Sequence, residues 1–227
     1  MTNKLKQQIH HELTNASVKI FEKVDKDYEF RGTGFFITSD GYLLTAYHCV
    51  GESPDDIFVE TQFNGKFPAL LDYSKSLRDK KYDIAVLKID YKPNNYLPLG
   101  FVTDKHKTDE LVSVGYPAGN LADNQDIGIY LGNISKFRGN KIENDVAKGQ
   151  GHSGGLVYHY QTQRVVGLVT EGYKIMLNAG LATRFDPLFE NWRELKAINQ
   201  NVVKNWLNIL QVDKEKPIPK PPITKNS

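Results

Sequence analysis

Between residues 17 and 172 the chain is a succession of short apolar or alternating runs, and this pattern limits the possible fold more than any other feature. Examples are SVKIFEKV, GTGFFIT, YLLTAY, DIFVET, YDIAVLKID, LVSVGY, IGIYLG and RVVGLVTEG. Gly, Pro, Asn or Asp residues stand in most of the gaps between the runs. Short runs with turn residues between them are typical of antiparallel strands, so the sequence predicts an all-β sandwich or barrel. The stretch TSDGYLLTA predicts a hairpin that turns at Asp40 and Gly41.

The two ends of the chain depart from this pattern. Residues 3–15 predict a short polar helix, which we assign to an N-terminal helical arm over residues 1–16. Residues 187–211 have helical apolar spacing, with Trp192, Leu195, Ile198, Val202, Trp206 and Ile209 near one face. Residues 212–227 are rich in Pro and Lys and predict a tail. The strand-rich part therefore covers residues 17–186.

Composition and charge limit the class of protein. The chain has 227 residues, 40% hydrophobic content and a net charge of +2, which suits a globular protein and gives no indication of a nucleic-acid partner. No apolar run reaches the roughly 18 residues that a membrane span needs. The first residues lack the apolar core of a secretory signal, and Cys49 is the only cysteine. We therefore expect a cytoplasmic, reduced protein without membrane or nucleic-acid partners.

The stretch GQGHSGG, residues 149–155, places glycine on both sides of Ser153. Glycine clusters occur in tight turns and where another group must approach the backbone closely. The stretch therefore allows two interpretations, which are a turn between two strands and a serine exposed for chemistry beside bare amide groups.

A reactive serine needs a base and a carboxylate that orients the base. Among the six histidines, His48 stands where the run YLLTAY meets a turn. It is either the base or an ordinary core or surface residue. Asp83 directly precedes the apolar run IAVL. Because a carboxylate at the head of a buried strand must be hydrogen-bonded, Asp83 either supports the histidine or caps the strand.

The order His48, Asp83, Ser153, with its three flanking segments, resembles the trypsin/chymotrypsin-like serine proteases. GTGFFITSDGYLLTAYHCV is similar to the segment around the catalytic histidine of that family, YDIAVLKI to the aspartate segment and GHSGG to the nucleophile segment. LVSVGYPAG, GNISKF and AGLATRF resemble the bacterial Deg-type branch. Because too few residues follow the last predicted strand, we do not expect the PDZ domain of that branch. The resemblance implies a chymotrypsin-like double six-stranded antiparallel β-barrel, with a short N-terminal helix and C-terminal helices.

The resemblance also implies roles for individual residues. Ser153 is the nucleophile, His48 is the general base, and Asp83 fixes the histidine tautomer. The backbone N–H groups of Gly151 and Ser153 form the oxyanion hole. The implied activity is a serine endopeptidase that acts on proteins or peptides through an acyl-enzyme and needs neither a metal nor another cofactor.

By the same resemblance, six residues line the primary specificity pocket. Ala147 and Lys148 lie at its base, Thr170, Glu171 and Gly172 form one wall, and Gly180 lies opposite. An uncharged base favours an apolar residue before the scissile bond, whereas an inward-pointing Lys148 favours an acidic one, and a solvated Lys148 is equally consistent with the sequence. Thr170 also falls where the family places a serine whose hydroxyl supports the aspartate.

His152 occupies the position at which animal digestive enzymes carry an aspartate that pairs with a freed N-terminus, so activation by that salt bridge is not expected. The sequence also allows two other functions. One is a catalytically silent peptide-binding or regulatory module within a larger assembly, and the other is a metal protein that uses Cys49, His152 and His159. The sequence lacks paired ligand spacings for the second. The terminal helices and the tail are candidate regions for binding a regulatory protein.

Overall fold

The computed structural model describes residues 1–51, 54–63, 65–117, 126–172 and 180–212. Within these ranges the chain forms two antiparallel β-structures and three α-helices. Helix α1 (Asn3–Ala16) precedes the first strand, and α2 (Asp186–Asn191) and α3 (Leu195–Val212) follow the last strand. The all-β prediction with helices at both ends is confirmed. Residues 213–227 of the expected tail lie outside the described residues.

The first unit is a seven-stranded sheet in which every neighbouring pair of strands is antiparallel. Its strands are β1 (Ser17–Val24), β2 (Asp27–Phe36), β3 (Tyr42–Ala46), β4 (Ile57–Thr61), β5 (Gly65–Pro68), β6 (Leu70–Leu71) and β7 (Ile84–Lys88). They are arranged in the order β5-β4-β1-β2-β3-β7-β6. The sheet has one strand more than expected because the two-residue strand β6 pairs with the edge of β7.

The second unit is a closed six-stranded barrel with the order β10-β13-β12-β11-β8-β9. Its strands are β8 (Glu110–Gly115), β9 (Gly128–Arg138), β10 (Lys141–Asn144), β11 (Leu156–His159), β12 (Arg164–Gly172) and β13 (Gly180–Arg184). Each unit has its own apolar core. A third apolar cluster, which includes Phe35, Leu44, Val114, Leu168 and Phe185, lies between the two units.

The predicted hairpin at Asp40 and Gly41 is confirmed, because β2 and β3 are paired on either side of it. Gly41 has φ +96°, and a Cβ atom there would lie 2.5 Å from the carbonyl oxygens of both Ile89 and Tyr91. Only glycine fits this turn without displacing the chain that leaves β7.

The terminal helices bury apolar faces in the cluster between the two units. Ile9 and Leu13 of α1 are buried there together with Trp206 of α3, and the Gln8 side chain donates a hydrogen bond to the carbonyl of Ile209. The expected buried face of α3 needs one correction. Leu210, four positions after Trp206, is buried, whereas Ile209 is only partly buried. No helix among the described residues is long and apolar enough to cross a membrane.

Candidate active site

His48 lies in a single 3₁₀ turn, Tyr47–Cys49, directly after β3. Strands β3 and β7 are antiparallel and pair Ala46 with Ile84, so the end of β3 meets the start of β7. The Tyr47 N–H donates a hydrogen bond of 3.1 Å to the carbonyl oxygen of Asp83. Strand pairing therefore brings His48 and Asp83 together although they are 35 positions apart in the sequence.

Two hydrogen bonds join His48 to the Asp83 carboxylate. The His48 backbone N–H donates to Oδ1 at 2.9 Å, and Nδ1 lies 2.6 Å from Oδ2. The Asp83 side chain is 13% exposed and that of His48 is 49% exposed. The hydrogen bond to Asp83 raises the pKa of His48 above its ordinary value of 6.5, and burial opposes this shift. With Nδ1 facing the carboxylate, Nε2 is the nitrogen that can exchange a proton with a substrate or a nucleophile.

Ser153 is half-buried at the boundary between the two units. Its carbonyl oxygen accepts a hydrogen bond of 2.8 Å from the Thr33 N–H of the first sheet. The Cys49 thiol, one residue after His48, lies 3.7 Å from the same oxygen and donates to it. Ser153 of the second unit therefore lies against the segment of the first unit that carries His48 and Cys49, and among the described residues no hydrogen bond joins His48 to Ser153.

The four residues before Ser153 form a turn. The His152 N–H donates to the Gly149 carbonyl at 3.2 Å, and Gly151, the third residue, has φ +86°. This combination is typical of a type II turn, which requires glycine at the third position. In the described part of the chain, no acceptor is hydrogen-bonded to the N–H of Gly151 or of Ser153. Both groups can therefore donate to a bound oxygen.

The glycine after Ser153 lies directly against the first sheet. Gly154 has φ +81°, and a Cβ atom there would lie 2.0 Å from the Thr33 carbonyl oxygen and 2.4 Å from the Thr45 hydroxyl oxygen. Its N–H donates to the Val169 carbonyl at 2.7 Å. The close approach of the two units beside Ser153 therefore depends on a residue without a side chain.

Ala147, expected at the base of the specificity pocket, and Gly180, expected opposite, lie against each other. Ala147 is 4% exposed, and a Cβ atom on Gly180 would lie 2.4 Å from the Ala147 Cβ atom. The Lys148 ammonium donates to the Asp145 carbonyl at 2.9 Å and lies 5.7 Å from the centre of the Tyr130 ring. Lys148 therefore binds within its own loop, whereas the sequence left open whether its ammonium points into the pocket or into solvent.

On the expected wall of the pocket, Thr170 and Glu171 both face Lys141. The Lys141 ammonium donates to the hydroxyl oxygens of Thr170 at 2.9 Å and Thr183 at 2.7 Å, and it lies 3.8 Å from the exposed Glu171 carboxylate. Among the described residues no hydrogen bond joins Thr170 to Asp83. Gly172 ends β12 and pairs with Gly180 of β13.

Sequence reasoning missed two residues that shape this site. Thr33 donates from its N–H to Ser153 and from its hydroxyl to the Gly151 carbonyl at 2.8 Å. Its position in GTGFFIT, within the stretch similar to the segment around the catalytic histidine, could have indicated a role for Thr33. Lys141 has a side chain that is only 11% exposed, and burial lowers its pKa. A lysine in the turn-like stretch RGNKIEN gives no sequence signal of burial.

The three residues of the metal alternative have separate partners. Cys49 contacts Ser153, the His152 ring lies 2.9 Å from the Ser113 hydroxyl, and the His159 ring lies 3.0 Å from the Asp109 carboxylate. In the ranges that the structure describes, no group of three or more His, Cys, Asp or Glu side chains is arranged to hold a metal ion.

Comparison with known families identifies the class of protein. The family model for the trypsin-like peptidase domain matches residues 32–168, a range that contains His48, Asp83 and Ser153. The chain therefore belongs to the trypsin-like peptidase domain family.

Among curated proteins, the chain is similar to probable periplasmic serine endoproteases described as DegP-like. The protein from Rickettsia prowazekii is 31% identical over 150 residues, which cover 61% of this chain and 28% of the relative. The protein from Hahella chejuensis is 28% identical over 189 residues, which cover 79% of this chain and 38% of the relative. The match thus spans about a third of each relative's length.

A solved structure supports the fold. The serine endoprotease from Yersinia pestis superposes with a TM-score of 0.67 at 23% identity, covering 83% of this chain and 65% of that one. The chymotrypsin-like double barrel is thereby confirmed.

The expected cytoplasmic location is wrong, because these curated relatives are named as periplasmic proteins.

We predict that Gly154→Ala lowers the free energy of unfolding by about 1–3 kcal/mol or more, because it forces a side chain into a left-handed conformation and against Thr33. Urea unfolding of the purified variant measures the change.

The matched control is Gly149→Ala in the same loop, where a new Cβ atom would have no neighbour within 4 Å. It should change the free energy of unfolding by less than about 0.5 kcal/mol. Equal stabilities of the two variants would contradict the steric argument.

Proposed function

We propose that this protein is a serine endopeptidase whose nucleophile is Ser153, with His48 as general base and Asp83 as its orienting carboxylate. The observation that carries the proposal is the pair of hydrogen bonds from His48 to Asp83, at 2.9 and 2.6 Å, beside the glycine turn that presents Ser153. Membership of the trypsin-like peptidase family and the names of the relatives support it. The relatives also support a periplasmic location.

The proposed mechanism uses these groups in sequence. The Ser153 hydroxyl attacks the scissile carbonyl while its proton passes to His48 Nε2. The resulting oxyanion accepts hydrogen bonds from the N–H groups of Gly151 and Ser153, which have no other acceptor in the described residues. His48 then gives the proton to the leaving amine, and an acyl-enzyme remains. Water, deprotonated by His48, attacks the ester carbonyl, and His48 then returns the proton to the Ser153 oxygen as the acid is released.

The substrate is a protein or peptide, and we propose that an apolar residue precedes the scissile bond. Ala147 leaves the base of the pocket uncharged, and the Lys148 ammonium is bound to the Asp145 carbonyl. A lysine or arginine entering this pocket would lose its hydration without gaining a partner at the base.

The expectation that the terminal helices and tail bind a regulatory protein stays a prediction.

Ser153→Ala should abolish both peptide hydrolysis and labelling by a fluorophosphonate probe. Loss of a serine nucleophile lowers kcat by about 10⁶-fold in a related system. The matched control is Ser39→Ala, which removes an exposed hydroxyl from the β2–β3 turn and should retain full labelling. Labelling is followed on a gel, and urea unfolding checks the fold. A wild-type protein that neither hydrolyses peptides nor reacts with the probe would favour the silent peptide-binding module.

The rate constant kcat/KM should rise with pH through a pKa above 6.5. His48 must be neutral to accept the Ser153 proton, and its bond with Asp83 favours the protonated form, so activity is low below the raised pKa and increases above it.

Asp83→Asn is the matched variant for this pH profile. It removes the charge that raises the pKa of His48, so its residual activity should rise at lower pH, with kcat reduced by about 10⁴-fold. Profiles with the same midpoint in both proteins would show that His48 is not the titrating base.

Matched peptides that differ only in the residue before the scissile bond test the pocket. We predict faster cleavage after Leu and Phe than after Glu and Arg. Lys148→Ala should leave this order unchanged, because the ammonium is bound to the Asp145 carbonyl. A wild-type preference for Glu that is lost in Lys148→Ala would place the lysine in the pocket, and a dominant rate after Arg would point to Glu171.

A further inference from the structure

The His152 side chain is fully buried directly before Ser153, yet the proposed mechanism gives it no role. Its ring lies 5.3 Å from the Tyr130 ring. Gly115 and Gly155 are in contact with the imidazole, since a Cβ atom on either residue would lie 2.5 Å from His152 Cδ2. The surrounding glycines thus leave a space that an imidazole ring fills.

The hydrogen bonds around the ring are consistent with one tautomer. The Ser113 hydroxyl donates to the Leu156 carbonyl at 2.6 Å, so its oxygen accepts from His152 Nε2–H at 2.9 Å. On the other side of the ring, Nδ1 accepts a hydrogen bond of 3.0 Å from the Lys148 N–H. Nδ1 must therefore be unprotonated. Burial, and after it the Lys148 ammonium, lowers the pKa of His152 to about 3, which keeps the ring neutral.

The bond to Lys148 lies next to the oxyanion turn. Lys148 immediately precedes the turn Gly149–His152, and the His152 N–H closes that turn by donating to the Gly149 carbonyl. The His152 carbonyl in turn accepts from the Gly155 N–H at 2.8 Å. His152 therefore forms hydrogen bonds with Lys148 before the turn, with Gly149 in the turn and with Gly155 after Ser153.

We propose that His152 is a positioning residue for the oxyanion hole. By accepting the Lys148 N–H at Nδ1, His152 holds the turn in the form in which Gly151 has a positive φ. The proposal rests on the proposed peptidase function and deepens it. A type I turn would reverse the peptide between Gln150 and Gly151, and the Gly151 N–H would then point away from the oxyanion. The His152 imidazole thus fixes the turn by a hydrogen bond within the loop, without a salt bridge to a freed N-terminus.

Two substitutions test whether the turn needs the hydrogen-bond acceptor at Nδ1 or only a side chain that fills the space. His152→Asn can keep an amide oxygen near the position of Nδ1, whereas His152→Gln can keep a polar group near Nε2 but none near Nδ1. We expect kcat of the Asn variant within about threefold of wild type and kcat of the Gln variant lower by about 10²-fold, the cost of losing one oxyanion donor. KM for the same peptide should change little in either variant.

Amide proton–nitrogen NMR gives a readout that does not depend on turnover. The signals of Gly151 and Ser153 should keep their wild-type positions in His152→Asn and move in His152→Gln, while the two urea midpoints stay similar. In the unmodified protein, ring proton–nitrogen spectra at neutral pH should show a neutral His152 with its proton on Nε2.

Three results would overturn the proposal. They are equal activity of the two variants, activity losses that simply follow their loss of stability, and a proton on Nδ1 in the wild-type ring. A wild-type protein without peptidase activity would refute the proposed function instead. The NMR comparison would still decide whether His152 controls the turn.

Discussion

Thr33 makes the interaction on which the geometry of the site depends. Its N–H and its hydroxyl hold the carbonyl groups of Ser153 and Gly151, both at 2.8 Å. The same hydroxyl accepts the Tyr116 N–H at 3.0 Å, and the Thr33 carbonyl accepts the Thr45 hydroxyl at 2.6 Å. Because the first unit also carries His48 and Asp83, this one buried threonine sets where Ser153 of the second unit lies relative to His48.

Close approach at this boundary requires small residues on both sides. A Cβ atom on Gly32 would lie 2.6 Å from the Cys49 sulfur and 2.8 Å from the Ser153 carbonyl oxygen. Cys49 itself is buried and fills the remaining space as a small apolar side chain that donates a weak hydrogen bond. The glycines at 32 and 154 therefore serve packing between the units, whereas Gly151 serves the turn.

Buried charge is compensated locally on each side of the boundary. The Asp83 carboxylate accepts two hydrogen bonds from His48, and the Lys141 ammonium donates to two threonine hydroxyls beside Glu171. Burial lowers the pKa of Lys141, and the negative charges of Glu171 and Asp83 oppose that shift. Charges removed from water are tolerated only with such partners, so the hydrogen bonds that compensate these groups also fix their orientation.

The sequence by itself determined the all-β class, most strands, the Asp40–Gly41 hairpin and the candidate residues His48, Asp83 and Ser153, because strand periodicity and turn chemistry act over a few neighbouring residues. Strands β10 and β13 were not among the runs predicted to be strands. Only the tertiary structure decided that Lys148 binds the Asp145 carbonyl, that the Lys141 side chain is only 11% exposed and that Ser113 pairs with His152. Thr33 and Gly151 are 118 positions apart. Their hydrogen bond exists because two separately packed units meet there, and no local pattern records which surfaces of two such units face each other.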